Sequence, residues 1–350
     1  MSAPAIPTEL ADLSAAWLGA VFGAGVESVT VLDSHSGTTG RARLGVAWAA
    51  SAGQGLPASV FVKFAPFDAE QRGFVAANQM GVREARLYRD IAPLLPVRVP
   101  HPWYADFDAE GRYVMVLEDL VAAGCAFPSP RDARVGAWAE QIVEQLARLH
   151  ARFHESARFG GDLAWLAERG TGAGDFGAGL VRLALERVGE RLPAAFRRFA
   201  SLYVERAPAI AARWNAGPAT LVHGDPHLGN LFLDDERIGF LDWGVTAVAP
   251  GMRDVAYVLC NSVPTELRRA NEREWIESYR GVLAAHGVTL AADAAWEQYR
   301  LFAIYSWLAA TATVAMGGKW QPESLAFAST ERATEALGDL ACEELVRLRT

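Results

Sequence analysis

The segment His223-Gly-Asp225-Pro-His227-Leu-Gly-Asn230 puts two histidines, a carboxylate and an amide into eight residues, and Leu241-Asp242-Trp243-Gly244 follows it. A His-x-Asp with Asn after four further residues arises by chance only about 0.005 times in a chain of this composition, so the pattern points to chemistry. Between the two motifs, apolar runs at 231–233 and 238–241 flank the turn 234–237 and read as a small hairpin. This island at 220–245 interrupts long helical texture: segments 131–156, pieces within 179–214, 252–261, 265–286, 291–316 and 324–347, with a glycine-rich loop at 170–179. Upstream the texture is different. Thr8 can cap a helix over 9–22, and β-branched runs at 26–32, 41–50 and 59–65 read as strands. Helical material over 68–95 stops at Pro96, and strands at 97–107 and 112–117 enclose the turn 108–111. The expected fold class is α+β: a small β-rich N-terminal lobe over 1–120, with a five-stranded sheet plus a helix, then a larger helical lobe over 121–350.

Composition narrows the function classes. With 51% hydrophobic and 21% charged residues in 350, there is ample core material, which excludes disordered and disulfide-stapled miniature folds. A net charge of −8 without a polybasic run argues against nucleic acid or anionic membrane as partner. Cys125, Cys260 and Cys342 lie far apart without a CxxC pair, so neither a disulfide framework nor a zinc knuckle is indicated, and a reducing cytoplasm fits. No basic residue precedes Arg41, and Glu9 and Asp12 interrupt the opening, so a secretory signal is not expected. The uncharged stretch 301–318 reaches the lower length of a membrane span, yet Tyr305, Ser306, Thr311 and Thr313 within it suit a buried core helix.

The residue types suit phosphoryl transfer to an alcohol. A carboxylate near the hydroxyl orients it and takes its proton, a contribution of roughly 10²- to 10⁴-fold, and Asp225 is the candidate. Phosphate charge calls for a hard divalent cation held by carboxylate and amide oxygens, which Asp242 and Asn230 supply. His223 would orient the loop by hydrogen bonding, and Gly244 would let the backbone turn after Asp242. Plainer assignments stand beside these: Asp225 as a turn residue before Pro226, Asn230 as a cap, His227 as structural. A transition-metal set of His223, Asp225 and His227 for hydrolysis would need a further ligand from afar.

Lysine usage adds an independent clue, since only Lys63 and Lys319 are lysine among the 33 basic residues. Lys63 falls within the apolar run Ser59-Val-Phe-Val-Lys-Phe, where a charge must find a partner unless the strand is an edge facing water. Glu84 on the following helix is the preferred partner and Glu70 an alternative. Ser34-His-Ser-Gly37-Thr-Thr-Gly40 offers small residues whose amides could cover phosphates, or form a plain hairpin turn; Gly37 and Gly40 are the candidates. The segment Val116-Leu117-Glu118-Asp119-Leu120 falls where the two textures meet, so backbone from Glu118 to Leu120 could bond an adenine edge.

Together, His223–Asn230, Leu241–Gly244, Lys63, Arg83-Glu-Ala-Arg-Leu-Tyr88 and Arg253-Asp254-Val-Ala-Tyr257 resemble the aminoglycoside phosphotransferase and choline kinase-like family, over roughly residues 25–310. The resemblance implies a bilobal protein-kinase-like fold and Mg²⁺- and ATP-dependent phosphorylation of a hydroxyl on a small molecule. By it, Asp225 is the base, Asn230 and Asp242 the magnesium ligands, Lys63 and Glu84 the nucleotide-phosphate pair, Glu118 to Leu120 the hinge, and Asp254 a brace for the loop. A cytoplasmic monomer or homodimer is expected. There are departures: the glycine-rich loop lacks a clean G-x-G-x-x-G, and Gly244 stands where many relatives carry an acid. Substrate selection in such folds falls to the helical part, here with Trp165, Trp214, Tyr305, Trp307 and Trp320, which could line a pocket or fill the core. A catalytically silent nucleotide-binding protein would keep the same fold.

Overall fold

The computed structural model describes residues 4–37, 39–167, 173–318 and 322–347; Lys319, Trp320, Thr38 and residues 170–172 of the glycine-rich loop lie outside the described residues. The chain divides into two compact units, one made of Met1–Phe127 with Phe232–Val245, the other of Pro128–Leu231 with Thr246–Thr350.

In the first unit, β1 (Val26–Ser36), β2 (Gly40–Trp48), β3 (Ser59–Phe64), β4 (Pro102–Phe107) and β5 (Tyr113–Glu118) form one antiparallel sheet in the order β1-β2-β3-β5-β4. β2 alternates buried with partly exposed positions, as a strand with one covered face does, whereas Tyr113 to Leu117 of β5 are all buried. Leu44, Val60, Val62, Phe64, Val114 and Val116 make one core, closed by Trp17 and Leu18 of α1 (Ala15–Phe22). That helix starts later than expected. Asp12 accepts the Thr8 and Glu9 amides at 2.8 and 3.1 Å, which ties residues 8–12 into a short 3₁₀ turn, and Ser14 then caps α1 through the Trp17 amide. Over 68–95 there are two helices, α2 (Ala69–Ala77) and α3 (Met80–Asp90), separated at Gln79 by its left-handed backbone, φ 52°. α3 lies so close to β5 that a Cβ on Gly81 would stand 2.0 Å from the Tyr113 ring.

The Phe232–Val245 return brings most of the hairpin β7 (Leu231–Asp234) and β8 (Arg237–Phe240) into this unit. Its seat is made of backbone bonds, Phe240 N–H to the Arg98 carbonyl at 2.8 Å and a paired bridge between Ala126 and Leu233. The Arg98 guanidinium then joins Asp234 and Glu118, each at 2.7 Å.

The second unit is helical: α4 (Val135–Arg152), α5 (Ala173–Val188), α6 (Ala194–Arg213), α7 (Met252–Asn261), α8 (Thr265–Ala285), α9 (Ala292–Met316), α10 (Glu323–Asp339) and α11 (Cys342–Arg347). The expected single helix over 324–347 is broken by the left-handed Ala341, φ 49°. Trp307 is fully buried under Phe196, Phe199 and Tyr203, and Trp165 and Trp214 are buried too, so these rings fill core; Tyr305 alone of the described set stays partly exposed. α9 buries Tyr299, Ser306 and Thr311 as a core helix does, and among the described residues no helix is long and apolar enough to cross a membrane. Two three-residue strands, β6 (Thr220–Val222) and β9 (Ala247–Ala249), pair antiparallel and bracket the excursion of the chain into the first unit.

Gly81→Ala is expected to lose about 1–3 kcal/mol through overpacking on Tyr113. Gly73→Ala, at an exposed α2 position with nothing near its Cβ, gains about 0.5–1 kcal/mol. Urea unfolding of the two variants beside the parent checks both signs.

Candidate active site

Lys63 lies on β3, which is flanked by β2 and β5 and so is no edge strand; the residue is 4% exposed. Its Nζ stands 2.7 and 2.6 Å from the two carboxylate oxygens of Glu84 on α3 and 3.5 Å from Asp242 Oδ1. Glu70, the alternative partner, sits at an exposed position of α2, whereas Glu84 is on the buried face of α3. The Trp243 amide also donates to Glu84, at 3.3 Å. Burial pushes the Glu84 carboxyl up to about 7, with Lys63 pulling it down and the Asp242 charge adding to the rise.

The sharp turn expected at Gly244 falls two residues earlier. Asp242 itself holds the left-handed conformation, φ 64°, which aspartate tolerates better than most side chains. Gly244 answers a packing need instead, because a Cβ there would stand 3.3 Å from the Met80 carbonyl.

The other first-unit candidates look different in place. The Gly37 amide donates to the Thr39 carbonyl at 3.1 Å, as in a plain hairpin turn, and so is not turned outward to cover a phosphate. Gly40 begins β2, pairing with Ser36 and Phe64, and its missing side chain makes room for the Ala65 carbonyl, whose oxygen would stand only 2.5 Å from a Cβ at this position. The Glu118 amide donates to the His101 carbonyl and the Leu120 carbonyl accepts from Cys125, so these two groups are already engaged by backbone. Asp119 between them is buried, bound to Arg43 at 3.0 Å and Ser59 at 2.8 Å, contacts that hold its carboxyl low against the effect of burial.

In the second unit the 223–230 loop hangs on one buried carboxylate. Asp254 on α7, with no exposure, accepts the His223 amide at 2.6 Å and the Gly224 amide at 2.9 Å. Gly224 has φ 90°, a conformation that glycine adopts without strain. Behind Asp254 stands His150 of α4, Nε2 at 3.3 Å, whose Nδ1 is 2.9 Å from the Tyr279 hydroxyl of α8. A carboxylate only accepts, so the Nε2 proton is assigned to the Asp254 side, with Tyr279 donating to Nδ1. Burial raises the Asp254 carboxyl, but the hydrogen bonds from His150 and from the Gly224 amide oppose it, and the net direction is down.

The front of the loop presents Asp225, its side chain 32% exposed. The Asn230 amide donates to the Asp225 carbonyl at 3.0 Å and to its carboxylate at 3.1 Å, which leaves the amide oxygen Oδ1 as the acceptor end. The Tyr257 phenol of α7 is buried; burial first, then the Asp225 charge, keep it protonated far above its ordinary range. His223 Nδ1 accepts the Asp225 amide at 3.2 Å. His227 Nδ1 accepts the Gly229 amide at 3.0 Å, with Nε2 3.6 Å from Asp225. Both histidines thus use Nδ1 on backbone, and among the described residues no group of three or more His, Cys, Asp and Glu could hold a metal, so the hydrolytic transition-metal set is not assembled. Asn230 in the second unit and Asp242 in the first each offer a hard oxygen donor. Sequence reasoning missed His150 and Tyr279; the available signal was a histidine on the buried stripe of an amphipathic helix.

Residues 55–302 match the profile of the phosphotransferase enzyme family. The chain belongs to that family. The fold of this phosphotransferase is shared by a choline kinase from Streptococcus pneumoniae (TM-score 0.54, 16% identity, 90% of this chain and 94% of that chain covered). It is shared also by an ethanolamine kinase from Plasmodium vivax (0.52, 11%, 89% and 81%) and by the GDP complex of aminoglycoside 2′-phosphotransferase-IIIa (0.51, 15%, 90% and 94%). A search of curated sequences finds no significant match. The phosphotransferase is therefore a kinase-like α+β protein, with its sheet in the N-terminal region and its helices in the C-terminal one.

Two outcomes follow from the buried charges. The Glu84 carboxyl binds its proton more tightly folded than unfolded, so the folded metal-free protein carries more protons between about 4.5 and 7, and stability falls as pH rises through that window. Urea midpoints across pH 4–8 should show this decline, and Glu84→Gln should flatten it. Asp254→Ala strands two buried amides and His150, and is expected to cost about 3–5 kcal/mol in urea unfolding, with Asp254→Asn losing less.

Proposed function

We infer that the protein is a kinase that moves the γ-phosphoryl group of ATP to a hydroxyl of a small organic molecule, with magnesium as the metal. The observation that carries this is the pair of aspartates in one loop system: Asp254 fully buried and bracing, Asp225 partly exposed and held by Asn230. A carboxylate so fixed is suited to orient an alcohol and take its proton. Family membership supports the transfer, and the names of the fold relatives, kinases of choline and ethanolamine and an aminoglycoside phosphotransferase bound to GDP, support a nucleotide donor and a small acceptor.

In the proposed reaction the acceptor oxygen forms its bond to the γ-phosphorus while the bond from that phosphorus to the β–γ bridging oxygen breaks, and the acceptor proton passes to Asp225. Lys63, held by Glu84, offers its ammonium to the nucleotide phosphates. Asn230 through Oδ1 and Asp242 through its carboxylate are the residues to hold magnesium, which neutralises phosphate charge.

Asp225→Asn is expected to lower acceptor phosphorylation 10²- to 10⁴-fold while Mg-ATP affinity stays within about twofold. Mass spectrometry of a panel of hydroxylated metabolites and antibiotics, read for one added phosphate, checks the first, and calorimetry the second. Equal turnover in the variant removes Asp225 from the reaction. Mg-ATP binding by the parent without any phosphorylated product favours the catalytically silent alternative.

A further inference from the structure

Arg253 stands one helical turn before Tyr257 on α7, so the two share a face of that helix. That end of α7 meets the loop that carries Asp225: Asp254, the next residue, accepts the His223 and Gly224 amides at 2.6 and 2.9 Å. The guanidinium lies over the Tyr305 ring, 4.1 Å from its centre, and Nη2 donates to the Tyr305 hydroxyl at 2.5 Å. Stacking and a phenol steer an arginine without neutralising it. Among the described residues Arg253 forms no ion pair with a carboxylate, and its buried Nε–H has no acceptor. A second orphan donor adjoins the first: the indole of Trp214, 95% buried and edge-on to Tyr305 at 5.3 Å between ring centres, has no acceptor for its Nε1–H among the described residues.

A permanent cation and two buried donors around one tyrosine amount to a demand for acceptor oxygens. Arg253 and Tyr305 each keep some exposure, so a bound molecule can meet that demand. On the assignment of Asp225 as the base, on which this step rests, an alcohol presenting its hydroxyl there brings the groups a few bonds away toward Arg253. We propose that Arg253 determines acceptor specificity, reading a carboxylate or other acceptor oxygen near the reacting hydroxyl, and that the substrate is a neutral or anionic oxygen-rich alcohol rather than an ammonium alcohol. An ammonium in that position would face a like charge and leave both donors unpaired.

Two matched acceptor sets test this: gluconate, glucose and glucosamine, and glycerate, glycerol and choline, each with Mg-ATP and read by mass spectrometry as kcat/KM. The parent should favour the anionic and neutral members at least tenfold over the ammonium members, and Arg253→Glu should reverse the order. Arg253→Lys, which keeps the charge but not the fork, should keep the order at lower rate, and equal melting temperatures show that all three proteins are folded. Preference of the parent for ammonium members, no preference among classes, or an order unmoved by Arg253→Glu overturns the proposal. So does a raised KM for Mg-ATP with an unchanged order, which assigns the arginine to the nucleotide. Absence of Mg-ATP binding in the parent is a different failure, that of the kinase assignment itself.

Discussion

A charge taken out of water must be paired, and the Lys63–Glu84 contact is where this constraint sets the architecture of the first unit. A buried ammonium on β3 fixes which face of α3 turns inward, because Glu84 on that face reaches it at 2.6–2.7 Å. Gly81 then lets α3 approach the Tyr113 ring, and the Trp243 amide joins Glu84, so the returning segment is tied to the same pair. The left-handed Asp242 follows from this tie: the chain must present a carboxylate beside Lys63 and an amide to Glu84 from adjacent residues. Such local strain is typical of functional positions.

The second unit solves the converse problem. A buried carboxylate, Asp254, needs donors, and it takes them from the backbone of the 223–230 loop and from His150. The outcome is a loop whose position is set from below, leaving Asp225 partly exposed and bonded to Asn230. Two aspartates in one system therefore differ in environment, the buried one fixed by its donors and the other partly exposed. Arg253 extends the pattern, as a cation that among the described residues has a ring and a phenol but no carboxylate, and its proposed complement is an acceptor that arrives from solution.

Much of this was legible in the sequence, for a definite reason. Lysine within an apolar run, and His-x-Asp-x₄-Asn with Asp-x-Gly downstream, are local patterns, and local patterns survive without knowledge of tertiary contacts. The five-stranded sheet was legible for the same reason, as were the bounds of α7, where apolar periodicity is strong. What was not legible is non-local or side-chain specific. The choice of Glu84 over Glu70 depends on which helix lies against β3. β9 has three residues and exists only because β6 is there to pair with it. Thr8 looked like a cap until Asp12 claimed its amide, and the turn at Asp242 could not be told from one at Gly244. His150 was hidden because a histidine on a buried helical stripe reads as core; its partners Asp254 and Tyr279 lie 104 and 129 residues away.

The central claim is that this chain catalyses phosphoryl transfer to a small alcohol, and the most direct test follows the phosphorus. The purified protein is incubated with Mg²⁺, γ-labelled ATP and a deproteinised low-mass metabolite extract, and the label is traced by chromatography. The account predicts label in a small acid-stable phosphate ester whose formation requires both the protein and the extract. Label that stays in ATP, or appears only as inorganic phosphate or on protein, contradicts it.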